Sequence, residues 1–148
     1  MNTQFFEKLE LNKVLAKCAE FAALEGAKKL IAESLPSEDI EEVRSRLNRT
    51  EEAELLLYRY GVSGVEYFED CSDLLSRAEK GSTLSCGELM QVNALNRAAR
   101  IAHTSVSSAT DENITLLKSD CARLYYDQPL EDDINFAILS DSEVNDHA

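Results

Sequence analysis

Apolar residues recur at intervals of three and four along most of this chain, which is the spacing of one face of an α-helix. Only five Gly and two Pro interrupt its 148 residues, and the helix-favouring residues Leu, Ala and Glu are abundant. The length suits one domain with a single core. The sequence therefore predicts an all-α fold, an irregular multi-helix bundle, with a short strand or extended segment near the C-terminus.

The helix ends follow from capping and breaking residues. We expect Asn12 to cap a helix that ends near Ala23, and Ser37 to cap a longer one of about 23 residues that ends at Gly61. Pro36 closes the segment before it. We interpret the whole chain as one helical domain, the N-terminal fragment of a larger protein. Its predicted parts are short helices over 1–36 (the first at 3–9, another at 24–34), a long helix, the 61–70 loop and a helix over 37–80, and further helices over 84–139.

The joint between two helices near residue 85 has the most specific pattern. Gly81 is a natural residue to end the first helix. Ser85 followed by Glu88 three residues later predicts a capping box, and Leu84 with Leu89 predicts the accompanying hydrophobic staple. Together these features fix the angle at which the chain enters the second helix.

The helices after this joint are predicted from their apolar stripes. The apolar pattern of the first helix ends in the Ser/Thr-rich residues 105–110, and a second helix ends near residue 125. A third follows Pro129, and the tail after it is a frayed end or the first strand of a structure that lies beyond this chain. The stripe residues are Leu89, Val92, Leu95, Ala99, Ala102 and Val106, then Ile114, Leu117, Cys121 and Leu124, then Leu130, Ile134, Ala137 and Ile138.

The charge of the chain argues against direct contact with nucleic acid. The formal net charge is −13. From Asp111 onwards the sequence has ten acidic residues and only two basic ones, Lys118 and Arg123. Such a surface repels phosphate. A nucleic-acid contact is an alternative only for the densest basic group, whose more ordinary interpretation is a solvated helix face. That group is Lys13, Lys17, Lys28 and Lys29.

The four cysteines read as reduced thiols of a cytoplasmic protein, because no Cys-x-x-Cys pair and no signal peptide are present. We expect Cys18 and Cys121 in the core. Cys86 is the one cysteine considered as a reactive thiol, because a position at a helix start lowers the pKa of a thiol. Neither histidine is near it in sequence. No apolar run is long enough to cross a bilayer, so no membrane partner is expected.

No catalytic, cofactor-binding or metal-binding residue is predicted, because phosphate-binding glycines, metal spacings and triads are all missing. Two weaker features have alternative interpretations. The acidic residues of 130–133 can hold a divalent cation, or they can interact favourably with the positive end of the helix dipole at a helix start. Tyr125 and Tyr126 can stack on bases or pack in a half-buried position.

The order of these landmarks resembles the amino-terminal region of the bacterial MutS-like paralogues, also called endonuclease MutS-like proteins. The resemblance covers nearly the whole chain. Two positions depart from the pattern: Cys86 replaces a proline, and VSGV at 62–65 replaces a Pro-Leu-Gly-Gly type of loop. The matching marks are Leu9, Glu10, Gly26, Ala27, Lys28, Leu35, Pro36, the Thr-Glu-Glu-Ala of 50–53, Arg77, Ala78, Leu84, Ser85, Glu88, Leu89 and Asp146.

The resemblance implies a dimeric, DNA-binding ATPase related to DNA mismatch repair proteins but without their mismatch-recognition domain. The family is associated with DNA junctions, suppression of recombination and rescue of collided ribosomes. Its P-loop ATPase, which uses ATP and Mg, and its Smr nuclease domain would follow residue 148. This chain would then be a non-catalytic part whose partners are the remaining domains of its own polypeptide and, through them, DNA or the ribosome.

A second hypothesis is a free-standing helical module that binds a protein partner through an apolar groove, with its acidic C-terminal part selecting a basic partner. An enzyme in its own right is the third. A reading frame that continues past codon 148 into a P-loop favours the first hypothesis, and a stop codon favours the second.

Overall fold

The computed structural model describes residues 9–62 and 64–147, and within these ranges the all-α prediction is confirmed. Seven helices are followed by one short antiparallel hairpin. The elements are α1 (Leu11–Ala19), α2 (Glu25–Ala32), α3 (Ile40–Tyr60), α4 (Ser72–Glu79), α5 (Cys86–Ser107), α6 (Leu116–Cys121), α7 (Gln128–Ala137), β1 (Ile138–Ser140) and β2 (Glu143–Val144).

Contacts divide the chain into two compact units, Met1–Val43 and Arg44–Ala148. In the described part of the first unit, residues 9–43, α1 and α2 pack against each other and no residue is buried. The predicted helix over 3–9 lies outside the described residues except for Leu9. None of the described helices is long and apolar enough to cross a membrane.

Two predicted helix caps are wrong. Asn12 lies inside α1, whose N-cap is Glu10, and α1 ends at Ala19 instead of near Ala23 because the next turns tighten to i→i+3 hydrogen bonds. Ser37 does not cap α3. Asp39 does so, since its Oδ1 accepts the N–H of Glu41 at 2.9 Å while its carbonyl accepts the first helical hydrogen bond.

The second unit is built around α5, which contacts α4, α6, α7 and β1. Ala98 and Ala102 on α5 are buried, and their small side chains let neighbouring elements approach closely. One cluster of its core joins Leu56, Val106 and Ile114 from three parts of the chain. The predicted apolar stripe of α5 includes Ala102, but the most buried alanine of the helix is Ala98 instead of Ala99.

The end of the chain folds differently from the prediction in two details. The helix predicted to end near residue 125 stops at Cys121, and Pro129 lies in the first turn of α7 instead of before it, where its missing N–H costs no hydrogen bond. After α7, Ile138 pairs with Val144 in the β1–β2 hairpin. The short strand predicted near the C-terminus is therefore confirmed, but it pairs within the chain, and Ile138 belongs to β1 instead of the predicted helix.

Candidate functional site

The joint between α4 and α5 has the predicted geometry. Gly81 has a φ of 85°, and the N–H groups of Gly81 and Ser82 return to the carbonyls of Ala78 and Arg77, which is a Schellman ending. Ser85 Oγ accepts the N–H of Glu88. The two ends of this break are thus both closed by hydrogen bonds.

The carboxylate of Glu88 ties the joint together. It accepts the Ser85 N–H at 2.8 Å, completing the capping box, and it also binds the Arg77 guanidinium of α4. The Ser85 N–H and the Arg77 guanidinium hold the pKa of Glu88 below its usual value. Leu84 and Leu89 are both part-buried, and their staple contact stays a prediction.

A buried carboxylate on α3 caps a distant helix. Glu52 is only 5% exposed, and its two oxygens accept the backbone N–H groups of Leu116 and Leu117 at 2.9 and 2.7 Å. Burial alone raises the pKa of Glu52, but these donors outweigh it, so the pKa lies below its usual value. Glu52 thereby satisfies two end donors of α6 and complements its dipole.

A second buried carboxylate joins α7 to α5. Arg100 donates from Nε and Nη2 to the two oxygens of Glu131, both at 2.8 Å. These hydrogen bonds lower the pKa of Glu131. Asn96, one turn earlier on α5, exchanges two 2.8 Å hydrogen bonds with the backbone of Asp127, whose side chain caps α7. The start of α7 is therefore held at two points.

The residues considered for chemistry are not brought together. Of the acids in 130–133, Glu131 is occupied by Arg100, and no group of metal-ligating side chains occurs in residues 9–62 and 64–147. Tyr125 is exposed, whereas Tyr126 is part-buried with its ring 5.3 Å from that of His103. The two tyrosines therefore differ, and only Tyr126 packs in the half-buried position.

All four thiols are free. Cys86 begins α5 and is part-buried, about 26 Å along the helix axis from His103. Cys121 packs against the core as expected. Cys18 was predicted to be in the core and is exposed, because α1 belongs to a unit without buried residues in its described part. In the basic group, Lys13 and Lys28 each pair with a glutamate one turn away.

Two adjoining hollows, of about 250 and 270 Å³, lie along α5 in the second unit. Met90 and Ala94 line both of them. A separate cleft of about 440 Å³ beside Glu52 is lined by carboxylates, including Glu51 and Glu112. The lining of the two hollows along α5 is mixed, with Asn93 and Gln91 beside apolar residues.

Sequence reasoning missed the roles of Glu52 and Arg100. Glu52 belongs to the Thr-Glu-Glu-Ala mark, but its partners lie 64 and 65 residues away, and no local pattern connects them. Arg100 stands off the apolar stripe of α5, which is the only local signal that it faces another element.

Comparison with known proteins adds an independent finding. Over its whole length the chain is 33% identical to a protein named Endonuclease MutS2 from Clostridioides difficile (strain 630). It is 30% identical to the protein of that name from Clostridium acetobutylicum and 33% to the one from Clostridium botulinum (strain Alaska E43 / Type E3). The chain spans 19% of the length of each of these relatives. No family model matches the chain. No solved structure matches it.

Proposed function

We propose that this chain is a non-catalytic structural domain at the amino end of a MutS-like, DNA-binding ATPase. The observation that carries this proposal is the similarity of the whole chain to one part of proteins named Endonuclease MutS2. The resemblance of its landmarks to the amino-terminal region of that family supports a position at the start of the longer protein.

A structural role fits the way its polar groups are used. Glu52, Glu88 and Glu131 each hold one helix to another element, and their lone pairs are occupied by N–H donors of the same chain. A nucleophile needs a base within hydrogen-bond reach. His103 is too far along α5 from Cys86 to act as the base for this thiol. The side chains thus fix angles between helices, a property that a mechanical ATPase requires of a part that transmits movement.

The activities of the longer protein are part of the proposal. We expect a homodimer in the cytoplasm, with a P-loop ATPase that uses ATP and Mg and with a nuclease domain, all beyond residue 148. The complete protein would act on DNA junctions and recombination, or on stalled ribosomes. The 148-residue chain would meet DNA or the ribosome only through these other domains, since its net charge of −13 repels phosphate.

The test is the reading frame beyond codon 148 together with assays of the 148-residue chain. We expect the frame to continue into a P-loop pattern, GxxxxGK followed by Ser or Thr. We expect the isolated chain to hydrolyse no ATP, to cut no DNA, and to show no gel shift with branched DNA below about 10 μM. ATP turnover or tight DNA binding by the isolated chain would contradict the non-catalytic role.

The alternative is a free-standing acidic module that binds a protein partner. The carboxylate-lined cleft beside Glu52 and the net charge of −13 favour a basic partner. A stop codon directly after position 148 would decide for this alternative, because the attached domains that the first proposal requires would then not exist.

A further inference from the structure

Helix α3 turns a largely polar side toward the rest of the second unit. Arg49 donates to Asp120 at 2.9 Å, and Glu52 caps α6. Apolar contacts with the core cluster begin only at Leu55. The inward side of the helix thus consists of a line of buried and part-buried residues of which three are polar: Ser45, Arg49, Glu52 and Leu56.

The outer side of α3 carries apolar residues that face water. Leu47 is 58% exposed and Leu57 is 46% exposed. Two further exposed residues lie between them, and the steps of three, four and three residues are those of the contact line of a two-helix coiled coil. Val43 and Ile40 continue the same spacing toward the start of the helix. We call this line the α3 seam and define it by Leu47, Thr50, Glu54 and Leu57.

This arrangement is the reverse of an ordinary surface helix, which directs its apolar stripe at the core and its charges at water. The leucines of the α3 seam gain nothing from packing within their own unit, and Tyr58 beside them is 81% exposed. Covering such surface is favourable, by roughly 25 cal/mol for each Å² removed from water. The seam is therefore suited to a second helix that lies along α3.

The charges along α3 identify that second helix. Over residues 44–50 every charged residue is an arginine, and over residues 51–54 every charged residue is a glutamate. If two α3 helices lie antiparallel with their centre near Thr50, the arginine part of each lies beside the glutamate part of the other. A parallel pair would place like charges together. The helix is thus complementary to its own reverse, through Arg46 on one side of the centre and Glu51 and Glu54 on the other.

We infer that the α3 seam is an interface between two copies of this chain, in which the two α3 helices pack antiparallel. Such a pair has two-fold symmetry, so the same residues of both copies form it. Leu47 and Leu57 supply the apolar contact. Glu54, a polar residue in the seam, fixes the register because it lies beside Arg46 of the second copy.

The dimer is weak and reversible. Helix α3 has 21 residues and is about 31 Å long, and a pair of helices of this length buries less than the roughly 1,200 Å² of a standard interface. The net charge of −13 on each copy also opposes association, and salt screens this repulsion. The inference goes beyond the proposed function and does not depend on it, because the 148-residue chain contains the whole interface.

The test is sedimentation equilibrium of the 148-residue chain from about 5 to about 500 μM in about 0.15 M salt. We expect the average mass to rise from near that of one chain toward that of two, with a Kd of about 50 μM. Leu47→Glu should weaken the dimer at least about tenfold, because it buries a charge in the seam. Leu139→Glu is the matched control, since this leucine of β1 is also 58% exposed, and it should leave the Kd unchanged.

A reciprocal pair of charge reversals tests the antiparallel arrangement. Arg46→Glu and Glu54→Arg change exposed residues, and each variant alone brings like charges together between the two copies. We expect each to weaken the dimer about tenfold. An equimolar mixture of the two variants should recover the wild-type Kd, because residue 46 of one variant then meets the opposite charge at residue 54 of the other. A variant that merely folds poorly cannot produce this recovery.

Three results would overturn the inference. The first is a wild-type chain that stays monomeric up to about 500 μM, which would mean that something other than a second copy covers the seam. The second is an equal Kd for Leu47→Glu and Leu139→Glu, which would indicate association through another surface. The third is a mixture of the two charge variants that dimerises no better than either alone. All three would leave the proposed function standing, since its test is the reading frame beyond codon 148.

Discussion

The two units of this chain differ in how far apart their interacting residues lie in sequence. In residues 9–43 the pairs Lys13–Glu10 and Lys28–Glu25 join exposed neighbours on the chain, and no residue is buried. In the second unit Arg49 reaches Asp120, 71 residues away, and every buried side chain of the described structure is found there. Local ion pairs contribute little to stability. The second unit therefore carries the packing that resists unfolding.

The largest effect should come from truncating the core of the second unit. Ile114→Ala empties a site that is 1% exposed, and we expect it to lower the free energy of unfolding by about 2–5 kcal/mol. Leu30→Ala, at a position on α2 that is 72% exposed, should change it by less than about 0.5 kcal/mol. Urea unfolding followed by circular dichroism measures both. Similar losses of unfolding free energy in the two variants would contradict the conclusion that the second unit carries the stabilising packing.

Removal of the long-range cap comes next. Glu52→Ala leaves the end donors of α6 without their acceptor in a buried place, and we expect a loss of about 1–3 kcal/mol. Glu51→Ala changes the exposed neighbour on the same helix and is the matched control. Equal stability of the two variants would mean that Glu52 does not hold α6.

The local cap at the joint is expected to matter less. Ser85→Ala should cost about 1 kcal/mol, the usual size of a lost N-cap. Ser82→Ala, an exposed serine in the same break, is the control and should leave the melting temperature unchanged. An unchanged melting temperature for Ser85→Ala would contradict the role of the capping box in the folded protein.

The smallest effect concerns pH. Because the pKa of Glu52 is lower in the folded protein than its ordinary value of about 4.3, its ionised form stabilises the fold. That contribution is complete above the unfolded pKa and is lost as the pH falls through the folded pKa. Glu52→Gln should therefore flatten the decline of stability below about pH 4. Urea midpoints measured at several acidic pH values check this, and parallel curves for both proteins would exclude it.

The features predicted well are those whose partners lie within a few residues. The box of Ser85 and Glu88 and the helix end at Gly81 are each closed inside one turn of backbone, so their sequence pattern contains the whole interaction. The cap assigned to Asn12 failed because α1 already begins at Leu11 and has no side-chain cap. The cap assigned to Ser37 failed because of competition. Several polar residues near a helix start compete for the same N–H groups, and the nearest oxygen to the actual first turn, that of Asp39, succeeds at α3.

The sequence by itself determined the helical class, the long α5 helix and the geometry of its entry, because periodicity and capping are local properties of the chain. Only the tertiary structure decided that Glu52 caps α6, that Arg100 holds Glu131, that Cys18 is exposed, and that Met90 and Ala94 line two hollows beside α5. These contacts depend on which distant segments meet, and that is settled by packing around α5.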